Sequence, residues 1–263
     1  MSAMTGSFIW YELMTSDQDA AIAFYEKVVG WSAEDMSIPE MGDYRYTMLN
    51  APGGHGVGGL ALIPEECASF MKPGWYGYVH VADADAAAAA IEAAGGRVLM
   101  APADIPTVGR FAMVADPTGA PFYLLAPLPR EDAPPPLPRM SPGNCGWHEL
   151  HAGDGEAAFA FYAAQFGWAE LSRLDMGAMG FYRIWGVEGA GDPSGGMMTR
   201  MPQMPAPAWN FYFVVEGIDA AAARIAEAGG TVINGPMEVP DGSWIVQGLD
   251  PQGAMFSLVS ETR

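Results

Sequence analysis

The feature that most constrains this chain is an internal duplication. The same order of landmarks occurs twice: a Trp-x-Glu-Leu segment, a Phe-Tyr pair, a Gly-Trp pair, a Gly-Gly pair and an Asp-Pro-x-Gly tetrad. In the first copy these are Trp10, Phe24-Tyr25, Gly30-Trp31, Gly95-Gly96 and Asp116 to Gly119, and in the second Trp147, Phe161-Tyr162, Gly167-Trp168, Gly229-Gly230 and Asp250 to Gly253. A repeat of this length is too long for a solenoid and predicts two similar globular domains.

A proline-rich segment separates the two copies. Residues 128–138 read Leu-Pro-Arg-Glu-Asp-Ala-Pro-Pro-Pro-Leu-Pro, so that five of these eleven residues are proline, which removes backbone donors and favours an extended course. We therefore predict a first domain at 1–127, a linker at 128–143 and a second domain at 144–263.

Charge and cysteine content narrow the class of protein. The 263 residues include 12 Lys or Arg and 31 Asp or Glu, for a formal charge of −19, which repels nucleic acid and anionic membrane surfaces. Only two cysteines are present, Cys67 and Cys145, so a disulfide framework is not expected. The N-terminal sequence has no basic segment followed by an apolar one, and we expect a cytoplasmic protein with no nucleic acid or membrane partner.

The residue pattern in each copy predicts two strand-helix-strand-strand-strand units. Residues 8–14 alternate as in a strand, Ser16 or Asp17 offers a helix N-cap, and Gly30 is placed to end the helix. A second helix is predicted from Asp83 to Ala94, and the second copy repeats the order. This arrangement indicates an α+β fold.

Three motifs together resemble the vicinal oxygen chelate superfamily, which includes glyoxalase I, fosfomycin and bleomycin resistance proteins, and extradiol dioxygenases. These motifs are Phe-Tyr-x-x-x-x-Gly-Trp, a helix ending in Ala-Gly-Gly, and the Asp-Pro-x-Gly hairpin. The resemblance covers roughly residues 8–127 and 146–259. It implies two tandem glyoxalase/bleomycin-resistance-like domains, each of paired βαβββ modules that form a curled mixed sheet, or cup, holding a divalent metal.

The resemblance also implies where the metal ligands of such a protein lie. Those positions hold Trp10, Tyr76 and Tyr123 in the first domain, and Trp147, Asn210 and Ser257 in the second. The remaining ligand position falls within 59–63 or 196–200, and neither segment contains an acidic residue. Because an indole has no lone pair for a cation, we predict that neither cup holds the divalent metal of the family, and that the chain uses no cofactor.

Strand alternation places further polar residues beside the two tryptophans. Glu12 shares a face with Trp10, and Glu149 and His151 share a face with Trp147, whereas His148 points the opposite way. Each Glu is either a structural acid, paired with a backbone donor or with an arginine such as Arg45, Arg110 or Arg183, or a polar anchor or general base. Under the second interpretation Glu149 and His151 are the candidate catalytic residues.

The same alternation assembles a set of aromatic and polar side chains that either line ligand pockets or fill the cups as core. The set comprises Trp10, Glu12, Tyr76, Tyr78, His80, Tyr123, Trp147, Asn210, Tyr212, Trp244 and Ser257.

Three functions remain open from the sequence. The leading hypothesis is a superfamily member without the usual metal ligands that binds a small apolar or aromatic molecule in one or both cups. The alternative is a superfamily enzyme, namely a lyase, isomerase, hydroxylase or dioxygenase, that uses Glu149 and His151 with or without a rearranged metal site. The third is a structural protein with filled cups. The two domains are expected to pair within the chain, and a homodimer is left open.

Overall fold

A computed structural model of the chain describes residues 4–37, 44–69, 71–129, 134–189 and 191–263. The first half contains strands β1 to β8 and helices α1 and α2, and the second half repeats that order with β9 to β16, α3 and α4. In the first half the elements are β1 (Phe8–Thr15), α1 (Gln18–Val28), β2 (Ser32–Asp35), β3 (Tyr46–Ala51), β4 (His55–Leu62), β5 (Gly74–His80), α2 (Ala84–Ala93), β6 (Arg97–Ile105), β7 (Gly109–Ala115) and β8 (Pro121–Pro127). In the second half they are β9 (Cys145–Ala152), α3 (Gly155–Phe166), β10 (Trp168–Asp175), β11 (Phe181–Val187), β12 (Gly195–Thr199), β13 (Ala208–Val214), α4 (Ile218–Glu227), β14 (Thr231–Glu238), β15 (Trp244–Leu249) and β16 (Met255–Ser260).

The strands form two eight-stranded mixed sheets with the same order. The first runs β2-β3-β4-β1-β5-β8-β7-β6, and the second β10-β11-β12-β9-β13-β16-β15-β14. Within each module one pair is parallel, as in β1 with β4 and β9 with β12, and the outer pairs are antiparallel. Both sheets are open, and the predicted α+β fold of tandem domains with paired βαβββ modules is confirmed.

The first helix of each domain begins and ends as the sequence predicts. The Asp17 side chain accepts the Ala20 N–H at 3.1 Å, and Asp154 caps α3 in the same way. Gly30 and Gly167 follow these helices with φ of +86° and +67°, the left-handed conformation that favours glycine at a helix end. The sequence alone did not locate strand β2, whose residues Ser32–Asp35 are mostly exposed and polar.

Close packing divides the chain into two compact units that each draw on both halves of the sequence. One unit contains the described residues of Trp10–Tyr76, Leu137–Trp147 and Asn210–Arg263. The other contains those of Met1–Ile9, Gly77–Pro136 and His148–Trp209. The predicted domain boundaries at 127 and 144 stay a prediction. Of the predicted linker 128–143, residues 130–133 lie outside the described part.

The repeated motifs explain how each unit holds together. In one unit the Asp250 carboxylate accepts backbone N–H groups of its own hairpin and the Tyr25 hydroxyl at 3.2 Å, and the Tyr25 oxygen accepts the Trp75 indole N–H at 2.9 Å. In the other unit Asp116, Tyr162 and Trp209 make the same chain of hydrogen bonds. In each unit, therefore, a buried network of hydrogen bonds joins the tyrosine of the Phe-Tyr motif to the aspartate of the Asp-Pro-x-Gly motif.

Cys67 and Cys145 are both buried free thiols. Burial raises the pKa of the Cys145 thiol to about 12.

No helix in the described ranges combines the length and apolar character that crossing a bilayer demands.

Candidate functional site

A polar cluster on the strands of the second domain is formed by Glu149, His151 and Tyr182, here called the Glu149 cluster. The His151 Nε2 atom lies 2.9 Å from Glu149 Oε2, and the Tyr182 hydroxyl donates to Glu149 Oε1 at 3.0 Å. Glu149 and His151 are each 8 % exposed, and Tyr182 is half-buried. Both carboxylate oxygens of Glu149 therefore accept a hydrogen bond.

Strand alternation explains why these three side chains meet. Leu150, between Glu149 and His151, is fully buried on the side of the sheet where α3 packs. Arg183, next to Tyr182, also lies on that side, where it pairs with Glu156 of α3. The cluster thus projects from the opposite side of strands β9 to β12, which we call the Glu149 face.

A glycine makes room for the tyrosine. Gly196 is the strand partner of Glu149, and a Cβ atom at Gly196 would overlap the Tyr182 hydroxyl. Any side chain here would displace the phenol from its position above the carboxylate, so the absence of a side chain at Gly196 is part of the site.

One nitrogen of the cluster has no hydrogen-bond partner among the described residues. His151 Nδ1 is buried and makes no hydrogen bond to any residue that the structure describes. In a neutral imidazole with its proton on Nε2, facing the carboxylate, Nδ1 carries a lone pair. A buried polar atom without a partner is costly, which makes Nδ1 the clearest candidate for a contact with a bound molecule.

Apolar side chains surround the polar cluster on the same face. Leu174 is the strand partner of Tyr182, Ile184 that of Gly196, and Met198 that of His151. Met198 is buried, Ile184 is half-buried and Leu174 is 37 % exposed. The face therefore becomes more accessible from β9 toward β10, and combines a polar anchor with apolar surroundings.

The first domain contains the same arrangement of glutamate, tyrosine and glycine, here called the frame, and differs at the position of His151. Tyr46 is hydrogen-bonded to Glu12, Gly59 is the strand partner of Glu12, and a Cβ atom at Gly59 would overlap the Tyr46 hydroxyl. The Trp10 indole N–H also donates to the Tyr46 oxygen, at 2.8 Å. Burial, together with the nearby Glu12, raises the pKa of Tyr46 well above its usual value. Met14 occupies the position of His151.

Comparison with known proteins assigns the family. The family sequence model of the Glyoxalase/Bleomycin resistance protein/Dioxygenase superfamily matches residues 7–124 and 146–258, one match for each domain. The chain belongs to this superfamily.

Two relatives align with the chain over nearly its full length. "Putative glyoxylase CFP32" of Mycobacterium tuberculosis is 34% identical over 258 residues, covering 95% of this chain and 93% of the relative. The anthracycline biosynthesis protein DnrV of Streptomyces peucetius is 32% identical over 263 residues, covering 97% and 93%.

Solved structures of the superfamily share the fold. The 2,3-dioxygenase LapB from Pseudomonas sp. KL28 superposes with a TM-score of 0.63 at 14% identity, covering 99% of this chain and 94% of that one. The Mn(II)-bound glyoxalase from Novosphingobium aromaticivorans gives 0.63 at 18% identity, covering 100% and 84%. At these identities the likeness concerns the fold alone.

The residues at the superfamily's metal positions do not suit a divalent metal. The Trp10 N–H is engaged with Tyr46, the Tyr76 hydroxyl donates to the Lys72 carbonyl at 3.0 Å, and the Tyr123 ring stacks on Tyr78. In the second domain the Asn210 amide nitrogen donates to the Ser257 oxygen at 2.7 Å, and the Ser257 hydroxyl donates to the Asn210 amide oxygen at 3.0 Å. Across the described ranges, no group of three or more His, Cys, Asp or Glu side chains is placed to hold a metal.

The other predicted site residues fall into separate groups. Tyr78 and Tyr123 stack at 4.3 Å with 10° between their rings. Tyr212 accepts a hydrogen bond from Gln247 and belongs to an apolar cluster on which Trp147 packs. His80 is half-buried, and its Nδ1 atom has no partner within the described residues.

Trp244 shares a strand face with the fully buried Val246 and not with Gln247, and Arg263 lies over its ring at 4.9 Å, so its place in a ligand pocket stays a prediction. One expectation requires correction. The arginines proposed as partners of the two glutamates bind other acids. Arg45 pairs with Asp19, Arg110 with Asp85 and Asp104, and Arg183 with Glu156 and Glu170. Tyrosine hydroxyls take their place because they project from the same face as the glutamates.

Sequence reasoning missed Tyr46, Tyr182, Gly59 and Gly196. A usable signal was present, since a Gly-Gly pair recurs at Gly58-Gly59 and Gly195-Gly196, each preceded by a strand that begins with or near a tyrosine.

A depression of about 660 Å³ lies elsewhere, lined in part by Lys27, Leu137 and Arg224, and contains no predicted site residue.

Proposed function

We propose that this superfamily member binds a small, neutral, partly apolar molecule on the Glu149 face, with the Glu149 cluster as its polar anchor and without the divalent metal of the family. The single observation that carries the proposal is the buried His151 Nδ1 atom, which no described residue satisfies. A ligand that bonded to this nitrogen would remove the cost of leaving it unpaired.

Charge and surroundings define the class of ligand. The carboxylate of Glu149 and the formal charge of −19 disfavour anionic molecules. Leu174, Ile184 and Met198 offer apolar contacts around the polar anchor. The names of the relatives, one referring to a glyoxylase and one to anthracycline biosynthesis, are consistent with small-molecule chemistry.

A thermal-shift screen tests this function. A ligand that binds only the native state raises the melting temperature by mass action, so hits on the wild type are repeated on His151→Met. Met14→Leu, at the equivalent position of the first domain, is the matched control. Hits that stabilise the wild type and Met14→Leu, but not His151→Met, support the proposal. Hits that stabilise all three proteins equally contradict it, and a stoichiometric metal in the purified protein would contradict its metal-independent part.

The contact between Glu149 and His151 favours a second candidate, an enzyme of the lyase, isomerase or oxidoreductase type. A carboxylate that orients an imidazole is the arrangement that general acid-base catalysis uses. If this candidate is correct, Glu149→Gln and His151→Ala should abolish turnover of a substrate found in the screen while leaving the folded state intact. Full activity in both variants would eliminate it.

Location and assembly stay proposals drawn from the sequence. The two free cysteines support a cytoplasmic protein, and the acidic composition disfavours a nucleic acid partner. Cell fractionation tests the first point. Light scattering of the purified chain decides between a monomer and a homodimer.

A further inference from the structure

We infer that His151 Nδ1 is a proton acceptor, and that the Glu149 face selects molecules with an acidic hydroxyl group, such as a phenol or an enol. This inference rests on the proposed function and states what the anchor does chemically. It concerns a nitrogen that points away from the carboxylate, and it requires no metal.

The first step is the tautomer of His151. Glu149 Oε2 lies 2.9 Å from Nε2, and a carboxylate can only accept, so the imidazole proton in this contact resides on Nε2. A neutral imidazole has one N–H, which leaves a lone pair on Nδ1. The carboxylate thereby fixes which nitrogen can act as the base.

The second step is the rigidity of the carboxylate. Its other oxygen, Oε1, accepts the Tyr182 hydroxyl at 3.0 Å, and the phenol fits only because Gly196 has no side chain. Glu149 is therefore held from two sides and cannot rotate away from His151 without losing a hydrogen bond. Tyr182 is a positioning residue that acts on His151 through Glu149.

The third step is the balance of the proton transfer. The O–H bond of the ligand breaks, a bond forms between that proton and Nδ1, and the electron pair stays on the ligand oxygen. The resulting imidazolium lies between the ligand oxyanion and the Glu149 carboxylate, and its two N–H groups can bond to both. A hydroxyl is required because an ether or an anion without a proton has nothing to donate to Nδ1.

The first domain provides an internal control for this inference. Glu12, Tyr46 and Gly59 reproduce the frame, but Met14 has no proton-accepting nitrogen. The first domain should therefore bind no molecule through proton acceptance at this position. Any hydroxyl selectivity of the whole chain should disappear when His151 alone is changed.

Nuclear magnetic resonance of the full chain, labelled with ¹⁵N at histidine, tests the tautomer directly. The signals of His151 are assigned by their absence in His151→Met. We expect an Nε2–H tautomer in the neutral form of the wild type and of Met14→Leu, and a loss of that preference in Glu149→Leu. A proton on Nδ1 in the neutral wild type would overturn the inference.

A matched pair of probes tests the selectivity. 4-Nitrophenol carries an acidic hydroxyl with a visible phenolate band, and 4-nitroanisole has a methyl group in place of its proton. We expect 4-nitrophenol to bind about tenfold more tightly, the value of one hydrogen bond, with an increase in the phenolate band on binding. In His151→Met both differences should vanish.

The outcomes separate the inference from the function on which it rests. Equal affinity for the two probes, with no change in the phenolate band, overturns the inference and leaves binding on the Glu149 face intact. Selectivity that survives in His151→Met also overturns it. If neither probe binds and no compound of the thermal-shift screen depends on His151, both the inference and the proposed function fail.

Discussion

The first modules of the two domains have the same frame and differ in one functional position. Both place a glutamate on the first strand, a tyrosine hydroxyl above it and a glycine beneath the tyrosine. Along the first strand, Met14 of the first domain corresponds to His151 of the second. The frame is therefore common to both copies, and the histidine is present in one of them.

The comparison also shows how the same phenol can serve two purposes. In the first domain the Tyr46 oxygen accepts the Trp10 indole N–H in addition to its contact with Glu12, and Met14 is only 2 % exposed. That arrangement is a closed polar pair under an apolar side chain. In the second domain the cluster extends to an imidazole whose Nδ1 atom is left without a described partner. The two copies of the frame thus differ in whether a buried nitrogen without a described partner lies beside the glutamate.

The largest expected effect tests whether the frame is shared. Gly196→Ala and Gly59→Ala should each destabilise the chain by about 3 kcal/mol, because the added Cβ displaces a tyrosine from a buried carboxylate. Urea denaturation of both variants measures the effect. Gly74→Ala is the control, since a Cβ there meets its neighbours only at 3.8 Å or more. Equal losses for Gly74 and Gly196 would show that the tyrosine contact does not matter.

Removing the hydroxyl itself should cost somewhat less. Tyr182→Phe removes the hydrogen bond from the phenol to Glu149 Oε1, and we expect a loss of about 1–2 kcal/mol because Tyr182 is only half-buried. Tyr46→Phe should cost about 1 kcal/mol more, since it also leaves the Trp10 N–H without its acceptor. The free energy of unfolding from urea titration gives both values. A larger loss of unfolding free energy for Tyr182→Phe than for Tyr46→Phe would contradict this order.

Much of the fold could be predicted from the sequence because its signals are local or repeated. Asp17 and Gly30 mark the ends of α1 through their own backbone preferences, and the second copy repeats the signals at Asp154 and Gly167. Strand β2 carries no such signal, since its residues are mostly exposed and alternate weakly.

The candidate site could be predicted only in part, for a different reason. Alternation correctly placed Glu149 and His151 on one face, because it depends on one strand alone. The partners of Glu149 come from β11 and β12, and their register relative to β9 is a tertiary property. Arg183 was one of the partners considered for the glutamates, yet it is the neighbour of Tyr182 on the strand and so points to the other side.

The pH dependence of stability distinguishes the buried phenol of the first domain. Tyr46 keeps its proton in the folded chain, where burial and Glu12 raise its pKa, but in the unfolded chain it ionises near pH 10. Its contribution to stability is therefore complete below pH 10 and declines as pH rises above that value. We expect the wild type to lose up to about 1.4 kcal/mol more per pH unit than Tyr46→Phe. Other buried tyrosines titrate in both proteins and cancel in this difference; parallel curves above pH 10 would contradict the assignment.

The smallest expected effect decides whether His151 is there for stability or for binding. His151→Met installs the residue of the first domain, and two changes oppose each other. Glu149 loses its hydrogen bond with His151, while the cost of the buried Nδ1 atom disappears. We expect a net change in the free energy of unfolding within about 1 kcal/mol, measured by urea denaturation, together with the loss of hydroxyl-selective binding. A loss above about 3 kcal/mol would instead make His151 a structural residue, and the difference between the two modules would then concern packing and not recognition.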